Sequence, residues 1–130
     1  MAIGILLDTN AYTRLLSGHA DVVHIVSQAT KVYLPVIVLG ELKAGFSCGK
    51  RETENLRSLE TFLMSPKVEV LPIEASTTLY YAQLYRQLRQ QGTPIPINDL
   101  WIAALTIQHQ LLLCTSDKHF DQLKQIPRIG

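Results

Sequence analysis

Cysteine is scarce in this chain. The two present among 130 residues, Cys48 and Cys114, lie far apart, outside any CxxC pair and without a histidine at zinc-ligand spacing. That argues against a disulfide scaffold and against a structural zinc site. Both fall in apolar stretches and read as small core residues in a reducing compartment. Excess charge of one sign is missing too. Twelve Lys and Arg against eleven Asp and Glu leave a formal net charge of +1, which excludes a histone-like basic coat and an acidic solvating tail. A local basic rim remains compatible with a neutral total. Long apolar runs are absent: the stretch around Val32 to Gly40 is broken by Pro35 and falls short of a membrane span. Ile3 to Leu7 is too short for a secretory signal, and Asp8 interrupts it. The expectation is a cytoplasmic protein with no membrane partner. There is no internal repeat, linker or low-complexity segment.

What is present is a core. The chain is 47% hydrophobic and 18% charged, which a disordered chain would not be, and its length suits one domain over residues 1–130. Ile3 to Leu7 reads as a buried parallel strand that ends in the polar triplet Asp8-Thr9-Asn10. Helices are predicted over Ala11 to Leu16 and Ala20 to Ala29. A strand follows over Lys31 to Leu34, and Pro35 opens the next helix, Val36 to Phe46. A charged helix starts at Lys50, with Leu56, Leu59, Phe62 and Leu63 on one face. Lys67 to Leu71 alternates as a strand. Glu74 to Gln91 is the longest helix, with Tyr81, Leu84, Tyr85 and Leu88 as its buried stripe. Pro94 and Pro96 hold a loop extended before a helix from Asn98 to about Gln108 that is apolar nearly all round and therefore buried. Leu111 to Cys114 is a strand, Ser116-Asp117 opens a short helix, and Ile126 to Ile129 is an edge strand. Short apolar strands alternating with helices give the fold class α/β, a central parallel sheet flanked by helices in three layers.

Only five aspartates are available, and three share one kind of address. Asp8 and Asp117 follow the ends of predicted parallel strands, and Asp99 opens the buried helix that leads into one of them. Ligands of open α/β sheets bind at the carboxyl ends of the strands. Helix capping is the competing role for each acid. Glu41 lies in Val38-Leu39-Gly40-Glu41-Leu42 and shares a helix face with Ile37, Val38, Ala44 and Gly45. A carboxylate buried there needs a partner, a proton or a metal; pairing with Lys43, or exposure of that face, is the other reading. Acids gathered on one edge repel unless a divalent cation neutralises them, and oxygen-only donors suit Mg²⁺ or Mn²⁺. Such a centre hydrolyses phosphodiesters with an activated water.

The stretches Leu6-Leu7-Asp8-Thr9-Asn10, Val38-Leu39-Gly40-Glu41-Leu42, Asn98-Asp99-Leu100-Trp101-Ile102-Ala103-Ala104 and Thr115-Ser116-Asp117-Lys118-His119-Phe120 stand in that order. Together they resemble a PIN-domain nuclease, and among these the VapC-type ribonuclease toxins of bacterial toxin–antitoxin pairs. The resemblance runs from Ile3 to about Ile129. It implies a PIN-like fold with Asp8, Glu41 and Asp99 as the core acids for Mg²⁺ or Mn²⁺ and Asp117 as the fourth. It also implies that Thr9, Asn10 and Ser116 orient carboxylates or water. Asn98 either does the same or caps its helix. Arg14 and Lys43 are the candidates for RNA contact. His119 is a candidate general acid, with a plain surface histidine as the alternative. The implied partners are an RNA substrate, a second copy of the chain in a homodimer, and an antitoxin facing the helix pair Val36 to Phe46 and Lys50 to Met64.

Three other functions compete. A PIN nuclease for RNA maturation would share the site and lack an antitoxin. A haloacid-dehalogenase-like phosphatase would need a DxD motif, and Asn10 stands where its second Asp belongs. A non-catalytic PIN-like binding module would lack one or more of the acids, and all four are present.

Overall fold

The computed structural model describes residues 4–130. The elements in chain order are β1 (Gly4–Leu7), α1 (Thr9–Leu16), α2 (Ala20–Gln28), β2 (Lys31–Pro35), α3 (Val36–Ser47), α4 (Glu52–Leu63), β3 (Val68–Leu71), α5 (Thr77–Gln91), α6 (Ile97–Gln108), β4 (Leu112–Cys114) and β5 (Arg128–Ile129), with a 3₁₀ turn over Lys118–Gln122 between the last two strands. Ile3, the first residue of the predicted first strand, lies outside the described residues. The strands form one parallel sheet in the order β3-β2-β1-β4-β5.

That order moves outward from β1 in two directions. Since parallel crossovers are right-handed, the β1-to-β3 connections (α1 to α4) and the return from β3 to β4 (α5 and α6) cover opposite faces of the sheet. The reversal falls between β1 and β4, which puts a crevice at their carboxyl ends. Gly4 sits where β1 enters the sheet: a Cβ there would stand 2.9 Å from Leu111 Cδ2, so the end of that side chain would have to turn aside.

The core gathers on β1, β4 and α6. Ile5, Leu6, Leu7, Leu113 and Cys114 are buried on the central strands, and Leu100, Ile102, Ala103, Ala104 and Leu105 on α6. Burying each Leu or Ile side chain stabilises the fold by roughly 1.5–3 kcal/mol. Thr106 is also buried on α6, and its hydroxyl donates to the Ile102 carbonyl at 2.8 Å, so the core holds no stray polar atom there. Gly92 ends α5 with φ +71°, a left-handed cap that suits glycine.

Three sequence expectations need correction. α5 begins at Thr77 rather than Glu74, because the Thr77 hydroxyl accepts from the Glu74 N–H at 3.1 Å and holds that stretch as a turn. Tyr85 leaves the buried stripe and is 45% exposed, stacking on Tyr81, whose ring in turn meets Trp101. Cys48 is exposed at the end of α3, whereas Cys114 is buried and its thiol pKa is pushed up to about 11, mainly by desolvation.

Candidate functional site

Where the strands stop decides which side chains meet. β1 ends at Leu7, and Asp8 follows in extended backbone, its Oδ1 accepting from the Ala11 N–H at 2.8 Å to cap α1. Leu7 is in register with Cys114 of β4, so Thr115 emerges beside Asp8. Its hydroxyl donates a hydrogen bond to Asp8 Oδ2 and accepts from the Asp117 N–H at 3.0 Å. One threonine thus ties together two acids from opposite ends of the chain.

The other two acids arrive on helices. Glu41 sits in the second turn of α3, and the Thr9 hydroxyl at the start of α1 donates to its Oε1 at 2.8 Å. On the helix face around it Val38 is buried and Ile37 half-buried, while Ala44 and Gly45 are exposed, so Glu41 stands at the border of the core. Asp99 lies in the first turn of α6. Its Oδ2 is 2.8 Å from His119 Nδ1, and the same nitrogen is 3.1 Å from Asp117 Oδ1. Asp117 Oδ1 also accepts the His119 N–H at 2.9 Å, so the loop after β4 fixes both residues together.

The acids are in electrostatic conflict. Burial raises the pKa of Asp8, the Thr115 and Ala11 hydrogen bonds pull it back, and the charges of Asp117 and Asp99 push it up further. Burial likewise raises Asp99, the bond from His119 lowers it, and Asp117 and Glu41 oppose its ionisation. The hydrogen bond to Asp99 raises the pKa of His119. Among the described residues, no Lys or Arg forms an ion pair with any of the four acids. Carboxylate oxygens crowded without a lysine or arginine to pair them are the donor set a hard divalent cation satisfies. Mg²⁺ or Mn²⁺ therefore fits this edge, and the tightest convergence of donors is Asp99, Asp117 and His119, whose ligand atoms all lie within 4.8 Å of one another.

A family model for the PIN domain matches residues 5–126. The chain belongs to the PIN-domain family. Ribonuclease VapC2 of Rickettsia felis is 30% identical over 128 residues, 95% of this chain and 92% of that protein. The solved structure of VapBC2 from Rickettsia felis bound to a promoter DNA fragment matches with a TM-score of 0.87 at 27% identity, covering 98% of both chains. VapBC-1 from nontypeable Haemophilus influenzae matches with a TM-score of 0.86 at 26% identity, again over 98% of both. These relatives place this PIN domain on the VapC branch of the family, and the five-stranded parallel sheet agrees with the architecture that the sequence resemblance implies.

Within this PIN domain, Asp8, Glu41, Asp99 and Asp117 come together, with Thr9 bonded to Glu41. Asn10, Asn98 and Ser116 are exposed, and none has a side-chain hydrogen bond to the acids. Arg14 pairs instead with Asp21 at 3.1 Å, and Lys43 is exposed on α3. Sequence reasoning overlooked Thr115. Its signal was available: it follows the last apolar residue of a strand, as Asp8 does. His119 is half exposed, yet its ring is pinned between two acids rather than free in solvent.

Proposed function

We propose that this PIN domain is an endoribonuclease dependent on Mg²⁺ or Mn²⁺, and that it is the toxin of a toxin–antitoxin pair. The observation that carries this reading is the convergence of four carboxylates, from four separate stretches of a VapC-like chain, with no Lys or Arg among the described residues paired to them.

In this reading Asp8, Glu41, Asp99 and Asp117 hold the metal. When bound, the ion supplies an activated water and a Lewis acid for the phosphate. The chain's own groups prepare the ground. Thr115 donates to one oxygen of Asp8 and the Ala11 N–H to the other, which favours the ionised carboxylate and fixes its plane. Each oxygen keeps a second lone pair for a ligand. Thr9 does the same for Glu41. Such supporting bonds fix ligand orientation in metal sites. Water attack on the scissile phosphate leaves a 5′-phosphate and a 3′-hydroxyl, and no side chain serves as a covalent nucleophile. Lys43, exposed two residues from Glu41, is free to meet an RNA phosphate; Arg14 is already engaged by Asp21.

The partners follow the same reading. A cleft of about 410 Å³ runs beside α1 and α4, lined by Tyr12, Leu16, Phe46, Arg51 and Asn55 among others. This supports an antitoxin on the α3–α4 side. Exposed Tyr85 and Ile97 line an apolar cavity of about 430 Å³ beside α6, which supports pairing with a second copy. The free cysteines suit a reducing cytoplasm, and residues 1–130 act as one domain. No helix among the described residues is long and apolar enough to cross a membrane.

The test is cleavage of total cellular RNA by purified, antitoxin-free protein with Mg²⁺ or Mn²⁺, with EDTA and Asp8→Asn as controls. New 5′-phosphate ends, lost in both controls, are the expected result. Cleavage that persists in EDTA would sink the metal mechanism.

A further inference from the structure

We propose that His119 is itself a ligand of the metal held by Asp99 and Asp117, and that this nitrogen biases the site toward Mn²⁺ over Mg²⁺. The proposal rests on reading the acid cluster as a metal centre, and it assigns a residue and a selectivity which that reading leaves open.

The first support is the spacing of the donor atoms. Two ligands on adjacent corners of an octahedral ion, each at about 2.1 Å from it, stand about 3.0 Å apart. His119 Nδ1 is 2.8 Å from Asp99 Oδ2 and 3.1 Å from Asp117 Oδ1. Both separations match edges of one coordination shell, and the three atoms share one small region.

Next comes the way the imidazole is held. Its backbone N–H is bound by Asp117 Oδ1, and the Asp117 N–H is bound by Thr115. The loop after β4 therefore presents acid and imidazole as one unit toward α6, which carries Asp99. The side chain is 51% exposed, so core packing does not hold it there. Its ring stays because the two carboxylates and the turn keep it there.

Ligand chemistry sets the selectivity. Mg²⁺ asks for oxygen and parts from its waters reluctantly, whereas first-row transition ions accept imidazole nitrogen readily. A carboxylate shell that includes one imidazole therefore discriminates against Mg²⁺ in a way that carboxylates alone would not. The rival role for His119 is a counter-charge that sits between the acids only until a metal displaces it. The two roles give opposite results when the ring is removed.

The experiment uses the full chain, stripped of metal, as wild type, His119→Gln and Asp99→Asn. Mn²⁺ and Mg²⁺ affinities are measured by calorimetry, and ¹⁴N coupling to bound Mn²⁺ by pulsed EPR. The expected result is nitrogen modulation in the wild type that disappears in His119→Gln. Mn²⁺ affinity in that variant should fall at least about tenfold, while Mg²⁺ affinity moves much less. Bound Mn²⁺ without nitrogen modulation overturns the assignment and leaves the carboxylate centre standing. So does a His119→Gln variant that binds both ions more tightly, which is the counter-charge outcome. If neither ion binds the wild type and Asp99→Asn is indistinguishable from it, the metal centre itself fails and the assignment with it.

Discussion

Eight of the eleven acids of this protein fall into two groups, treated in opposite ways. Around the periphery, Asp21, Glu54, Glu69 and Asp121 each have a basic partner: Arg14, Arg51, Lys31 and Arg128. All four are largely exposed, and pairs of this kind contribute about 0–1 kcal/mol. At the carboxyl edge of the sheet, Asp8, Glu41, Asp99 and Asp117 are partly or wholly buried, crowd one another, and are met by hydroxyls, backbone N–H groups and one imidazole. Hydroxyls orient a carboxylate without cancelling its charge. The contrast separates acids that stabilise the surface from acids whose charge is left uncancelled at a cost in stability.

The strongest way to break that contrast is to remove one edge charge. Asp8→Asn keeps the shape and the α1 cap, and we expect RNA cleavage to fall more than about a hundredfold. Stability should move the other way. Because burial raises the Asp8 pKa, the folded state keeps its proton to a higher pH than the unfolded chain does. Folding stability is therefore lost as pH rises from the ordinary aspartate value through the raised one. At neutral pH the Asn variant should melt higher than wild type in a metal-free thermal scan; a lower melting temperature would contradict the account of Asp8 as a destabilising charge.

Adding a divalent cation is the complementary experiment. Mn²⁺ at about a hundred times its dissociation constant should stabilise the wild type by about 2.7 kcal/mol, read as a rise in melting temperature. Asp99→Asn should lose most of that rise. Equal shifts in both proteins would mean that the ion binds elsewhere.

A smaller effect is expected from the supporting hydroxyl. Thr115→Val removes a bond that lowers the Asp8 pKa, so the acid limb of the pH–rate profile should move to higher pH, with activity down about 10- to 100-fold. An unchanged limb would show that Thr115 does not tune Asp8. The smallest change belongs to the periphery. Arg51→Ala, which frees Glu54, should alter stability by less than about 1 kcal/mol and leave cleavage unchanged in the same assay.

Much of this was legible in the sequence, for physical reasons that differ by element. β1, β4 and α6 announce themselves because residues buried on both sides must be continuously apolar. Asp8 and Asp117 stand out because polar residues directly after such strands have one edge to occupy. The contacts that complete the site were less legible because they cross long stretches of chain. Thr115 meets Asp8 across 107 positions, and His119 meets Asp99 across 20. Only the register of β4 on β1 and the position of Asp99 in the first turn of α6 bring them together. Local pattern also misjudged Tyr85 and Cys48, since an apolar residue on or beside a helix has the same neighbours in sequence whether or not another element covers it.

The pairing of β1 with β4 has a consequence for synthesis. Asp8 and Glu41 emerge from the ribosome before Asp99, Thr115, Asp117 and the strand that aligns them. A nascent chain carries half of an acid cluster and no neighbour for one side of β1. If the finished protein cuts RNA, its ribosome is spared until β4 has emerged and paired with β1, because the fold withholds the complete site until that strand is in place.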